Sequence, residues 1–85
     1  MASFKAQILT PQGSLFEGDV TGVQMPGVEG SFEVKANHAP IVSALEEGKV
    51  LVRKTDGDVN YNISGGFVEV AANKLTLLAE SVVEG

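Results

Sequence analysis

Residues 25–50, MPGVEGSFEVKANHAPIVSALEEGKV from Met25 to Val50, hold two of the chain's three prolines, its only histidine and its densest cluster of turn-forming residues. Punctuation this dense in a small domain marks a shaped loop region. Within it, Pro26-Gly27-Val28-Glu29-Gly30 turns the chain and Phe32 and Val34 alternate as a strand. Ala36-Asn37-His38-Ala39-Pro40 is an irregular link, because the residue before a proline is pushed out of the helical region. Ile41 to Leu45 is a short strand, and Glu46-Glu47-Gly48 turns again.

Outward from this stretch the pattern is strand throughout. Phe4, Ala6 and Ile8 alternate with polar residues, and Thr10-Pro11-Gln12-Gly13 matches a type I turn. From Ser14 to Met25 the apolar parity changes between Phe16/Val20 and Val23/Met25, which predicts one long strand with a bulge. On the far side, Val50 and Val52 share a face. The Asp56-Gly57 pair in Thr55-Asp56-Gly57-Asp58 predicts a type I′ hairpin, and Val59, Tyr61 and Ile63 oppose Asn60, Asn62 and Ser64 on the return strand. Gly65-Gly66 marks a bulge or a close backbone approach. Phe67 to Ala71 and Leu75 to Glu80 flank a second tight hairpin at Ala72-Asn73, and residues 81–85 trail off. Eight or nine short strands at spacings of roughly 8 to 12 residues, with no helical period, predict two antiparallel sheets packed face to face. The chain reads as one all-β domain over residues 1–85.

Composition narrows function by exclusion. With no cysteine there is no disulfide staple and no thiolate chemistry, which fits a reducing compartment. A net charge of -5, with six Lys and Arg scattered along the chain, argues against nucleic acid as a partner. No apolar run approaches the ~20 residues of a membrane span, and Met1 to Lys5 lack a signal-peptide core, so a soluble chain not exported by that route is expected.

The catalytic inventory is poor. His38 could serve as a base, but a lone histidine in Asn-His-Ala-Pro reads better as a hydrogen-bonded loop or interface residue. Asp56 and Asp58 resemble a fragment of a calcium loop without its remaining ligands, and a hairpin tip explains them better. Glu46-Glu47 reads as a solvated turn. Gly65-Gly66 is not followed by the helix N-terminus or lysine that an anion site would need. Glu29 is an acidic loop tip, able to dock on a basic partner.

Taken together, Phe16-Glu17-Gly18, Met25 to Phe32 (MPGVEGSF), His38-Ala39-Pro40, Gly65 to Val70 (GGFVEV) and Lys74 to Glu80 (KLTLLAE) resemble, in order and spacing, the ε subunits of the F-type ATP synthase. The resemblance covers essentially the whole chain and is specific in combination. It implies an all-β, flattened antiparallel β-sandwich of about ten short strands. It also implies a non-catalytic rotor part at the foot of the central stalk, coupling proton flow to ATP synthesis. The implied partners are the γ subunit and the polar loops of the membrane c-ring, with membrane association only through the complex, no nucleic acid, no small-molecule substrate and no cofactor. The implied location is the cytoplasmic face of the bacterial inner membrane, or the stromal face of the thylakoid if plastid-encoded.

By motif position, Glu29, Gly30, Ser31 and His38 are the c-ring-facing candidates. Ala39, Pro40, Ile41, Val42 and Ser64 are the candidates for the γ side. The chain departs from many family members at Glu33, where they carry Gly, and at Ala36-Asn37, where they carry Pro-Gly or Pro-Asn. Most members also continue into a C-terminal helical hairpin that inhibits hydrolysis and in some binds ATP. Since the sequence ends at Gly85, no such hairpin and no ATP site are expected in it.

Two other classes are compatible with a small acidic sandwich. A biotinyl or lipoyl carrier presents a modifiable lysine at a hairpin tip, whereas Lys54 and Lys74 only flank the tips here. A carbohydrate-binding module needs an exposed aromatic platform, and this chain has no Trp and places Tyr61 and most of its four Phe at inward positions.

Overall fold

The computed structural model describes Ala2 to Glu84; the terminal residues Met1 and Gly85 of the expected 1–85 domain lie outside the described residues. Ten strands follow one another, β1 (Phe4–Thr10), β2 (Gly13–Val20), β3 (Gly22–Gly27), β4 (Gly30–Lys35), β5 (Ile41–Leu45), β6 (Gly48–Lys54), β7 (Gly57–Ile63), β8 (Gly66–Ala71), β9 (Lys74–Ala79) and β10 (Val82–Glu84), with no helix among the described residues.

The two sheets foreseen from the strand pattern are joined by hydrogen bonds into one curled sheet. Its order is β10-β7-β6-β3-β5-β8-β9-β1-β2, with β4 added on β3. The join is narrow, a single register pair between Gly27 and Leu45. All pairings are antiparallel except β1 with β9, which run parallel from Lys5/Lys74 to Leu9/Leu78. The molecule measures 30 × 26 × 21 Å. Its core gathers one face of both halves: Phe4, Ala6 and Ile8 of β1 and Leu75 and Leu77 of β9 share a cluster with Val50 and Val52 of β6 and Val34 of β4. Period-two alternation produces this arrangement, because inward residues at i, i+2 and i+4 meet across the fold.

Three local expectations are corrected. The long strand from Ser14 to Met25 breaks at Thr21, so that β2 pairs with β1 while β3 pairs with β4 and β6. Thr21 donates its backbone N–H to the Arg53 carbonyl at 2.8 Å, anchoring the corner, and the bulge falls earlier, where Leu15 is the extra residue opposite Ile8/Leu9. The Asp56-Gly57 pair is not a type I′ turn. Lys54 pairs with Gly57, so Thr55 and Asp56 occupy the tip, and of these residues only Gly57 has positive φ, at 131°. The type I′ conformation instead belongs to Ala72 and Asn73, at φ 51° and 60°. Finally, the tail does not trail off: β10 adds to β7 through the pairs Val82↔Ile63 to Glu84↔Tyr61. The close approach foreseen at Gly65-Gly66 is present, since a Cβ on Gly66 would strike the backbone of Leu78 and Ala79.

Candidate functional site

Strand register assigns every loop to one of two ends. One end gathers Pro11-Gln12, Val28-Glu29, Glu46-Glu47, Ser64-Gly65 and Glu80-Ser81, because Thr10/Gly13, Gly27/Gly30, Gly27/Leu45, Gly48/Ile63 and Gly66/Ala79 are neighbouring pairs. The other end gathers Thr21, Ala36 to Pro40, Thr55-Asp56 and Ala72-Asn73.

The two ends differ in charge. The first carries Glu29, Glu46, Glu47 and Glu80, all exposed, with Lys49 near the start of β6. The second carries Lys5, Lys35, Arg53, Lys54 and Lys74, and there the ion pairs Lys5–Asp19 (3.1 Å), Arg53–Glu33 (2.8 Å), Arg53–Asp58 (3.8 Å) and Lys54–Asp56 (3.7 Å) form. Asp56 and Asp58 therefore face cations of their own hairpin, and among the described residues no three His, Asp or Glu converge as metal ligands. Glu33, one of the departures noted in the sequence, lines up with the Arg53 guanidinium rather than with the loop tip.

The structure redistributes the sequence-derived candidates. Glu29, Gly30 and Ser31 stay together at the acidic end, where Gln24 Nε2 donates to Ser31 Oγ at 3.3 Å. The tip is tied to the next corner by Val28 N–H to Ala44 O at 3.3 Å and Glu46 N–H to Pro26 O at 2.9 Å. Ser64 joins this same end and accepts a hydrogen bond from Ser81 at 2.9 Å. His38 lies at the opposite end beside Ala39 and Pro40, its Nδ1–H donating to the Ala39 carbonyl at 2.7 Å. Ile41 is half-buried against the core, and Val42 points outward at 74% exposure.

Sequence reasoning missed an apolar row on the outer face. Ala44, Phe67, Leu78 and Leu9 are consecutive register partners across β5, β8, β9 and β1, with Phe67 58% and Leu78 49% exposed. They line an open groove of about 550 Å³ with Pro11 and Leu45. The signal was present in the chain: Phe67 and Leu78 are large apolar residues on the wet parity of strands whose other parity is Val68/Val70 and Leu75/Leu77. Contiguous apolar surface beside an acidic end suits a protein that docks.

The family model of the ATP synthase delta/epsilon chain β-sandwich domain matches residues 3–85. The ATP synthase epsilon chain of Caulobacter vibrioides is 45% identical over 84 residues, covering 99% of this chain and 98% of that protein. The epsilon chain of Chlorobium limicola is 44% identical, covering 94% of this chain and 92% of the relative. Among solved structures, a chain of the Euglena gracilis mitochondrial ATP synthase OSCP/F1/c-ring assembly superposes with a TM-score of 0.91 at 23% identity, over 99% of this chain and 54% of that one.

Proposed function

This chain belongs to the ATP synthase delta/epsilon chain β-sandwich family, and from that membership we propose that it is a central-stalk subunit of a proton-translocating F-type ATP synthase, coupling ring rotation to the catalytic head. The match to the Caulobacter vibrioides epsilon chain along nearly the whole length of both chains, at 45% identity, carries this reading. The subunit is non-catalytic and holds its place by docking, on the cytoplasmic face of the bacterial inner membrane and only through the complex.

The acidic end, with Glu29, Gly30, Ser31 and Ser64, faces the polar loops of the c-ring. Four exposed carboxylates there favour a basic surface by steering and by register. The γ subunit covers the Ala39-Pro40-Ile41-Val42 edge and the adjoining row of Phe67 and Leu78, with His38 on this side. What supports that assignment is the exposure of Val42, Phe67 and Leu78 on contiguous strands. Two contacts on separate parts of one close-packed body let the domain transmit strain, since packed β cores deform little.

The carrier reading has no matching geometry. Lys54 is half-buried, 5.9 Å from the Phe16 ring centroid and 3.7 Å from Asp56, and Lys74 sits at the base of its hairpin, paired with Ala71. The test is capture of the chain by purified γ subunit and by detergent-solubilised c-ring. Stoichiometric complexes with both are expected, and failure of the folded chain to bind either one removes the stalk role.

A further inference from the structure

The link between β4 and β5 runs through Ala36 to Pro40 outside any strand, and its last four residues are exposed. Its conformation depends on two fixed points. Pro40 restricts its own φ and biases Ala39 toward extended backbone. Asn37 adopts the left-handed conformation, at φ 63°, which Asn tolerates better than most residues. Between these points, His38 and Ala39 share a local bond from His38 Nδ1–H to the Ala39 carbonyl.

Ala36 packs against the core, and one hydrogen bond ties the exposed part of this segment to a distant loop. The Asn37 backbone N–H donates to Asn73 Oδ1 at 2.8 Å, across 36 residues of sequence. Asn73 is the second tip residue of the type I′ turn between β8 and β9, so its side chain is presented from a rigid two-residue loop closed by the Ala71↔Lys74 pair. Among the described residues, this is the one long-range hydrogen bond made by 36–40.

We propose that Asn73 is a positioning residue for γ docking, holding His38, Ala39 and Pro40 in the shape that the γ subunit binds. This rests on the assignment of that edge to γ given above. Asn73 acts through Asn37 and need not touch the partner. Because the bond is exposed, its loss loosens the segment without unfolding the domain, and the ordering cost moves into the binding step.

The experiment compares the wild-type chain with Asn73→Gly and Asn73→Asp. Glycine accepts the left-handed φ and removes the acceptor; aspartate keeps an acceptor oxygen and tolerates the same φ. Amide exchange at Asn37, followed by NMR, reports the latch without any partner, and titration with purified γ subunit reports docking. In Asn73→Gly, Asn37 exchange should accelerate and γ affinity fall about three- to tenfold, as for one exposed hydrogen bond, while the melting curve stays that of a folded sandwich. Asn73→Asp should restore both. Unchanged Asn37 exchange in Asn73→Gly overturns the latch. Accelerated exchange with wild-type γ affinity overturns its role in docking. If the wild-type chain does not bind γ at all, the γ assignment fails and the docking role with it, whereas the exchange data still report whether the latch exists.

Discussion

Glu29 and His38, nine residues apart in sequence, lie at opposite ends of the sandwich, because β4 (Gly30–Lys35) carries the chain from one end to the other between them. At ~3.3 Å per residue the strand alone spans about 17 Å. A partner docked against the acidic end meets Glu29, Ser31 and Ser64 without meeting His38.

That separation predicts a split phenotype. Glu29→Lys should weaken capture by the c-ring and make it less sensitive to salt, since an exposed rim charge acts mainly on association. It should leave γ binding and stability unchanged to within about 0.5 kcal/mol. His38→Ala should do the reverse at the partners. Equal loss of both partners in each variant would contradict the two-ended arrangement.

Gly66→Ala should be severely destabilising. A Cβ there meets the Leu78 carbonyl and the Ala79 backbone, and Gly66 sits at φ 155°. The clash with strand backbone has no flexible side chain to absorb it, so a loss of at least about 3 kcal/mol is expected in urea unfolding. Gly57→Ala is the control: its φ of 131° costs strain, but nothing lies within 4 Å of the new methyl, and about 1 to 2 kcal/mol should be lost. Equal losses would mean that conformation, not the β8–β9 approach, requires Gly66.

Leu77 and Leu78 are adjacent and face opposite ways. Leu77 is fully buried, and Leu77→Ala should cost about 2 to 5 kcal/mol by leaving a cavity. Leu78 is 49% exposed, and Leu78→Ala should cost under about 1 kcal/mol. The surface variant should nevertheless weaken γ capture, the readout that ties the apolar row to docking.

Ala72 occupies the left-handed region at φ 51°, where an L-residue with a Cβ is strained. Ala72→Gly should therefore stabilise the domain by about 0.5 to 1 kcal/mol, net of the added freedom of the unfolded chain. A destabilised Ala72→Gly would argue against the type I′ turn at this hairpin.

Much of this molecule was legible before folding was considered. Alternation located nearly every strand, and paired glycines at 65–66 announced a close approach that Gly66 makes with Leu78 and Ala79. Turn chemistry was less reliable. Asp-Gly is a strong type I′ signal, yet pairing of Lys54 with Gly57 moved the tip back by one residue, while Ala72-Asn73, a weaker signal, took the type I′ form. Register across the sheet overrode local preference in both places. The candidate site was half legible: Glu29 to Ser31 could be read from their motif, but their company at the acidic end could not.

The sequence alone determined the class of fold, its inward face and the family, because these depend on the period of two and on motifs contiguous in the chain. Tertiary structure alone decided which residues share a surface. Strands that run the length of the domain send neighbouring loops to opposite ends, so Glu29 parts from His38 and joins Ser64 and Glu80, while Asn37 meets Asn73. The join between the two halves of the sheet through Gly27 and Leu45 is likewise a product of pairing over distance, invisible to any local window.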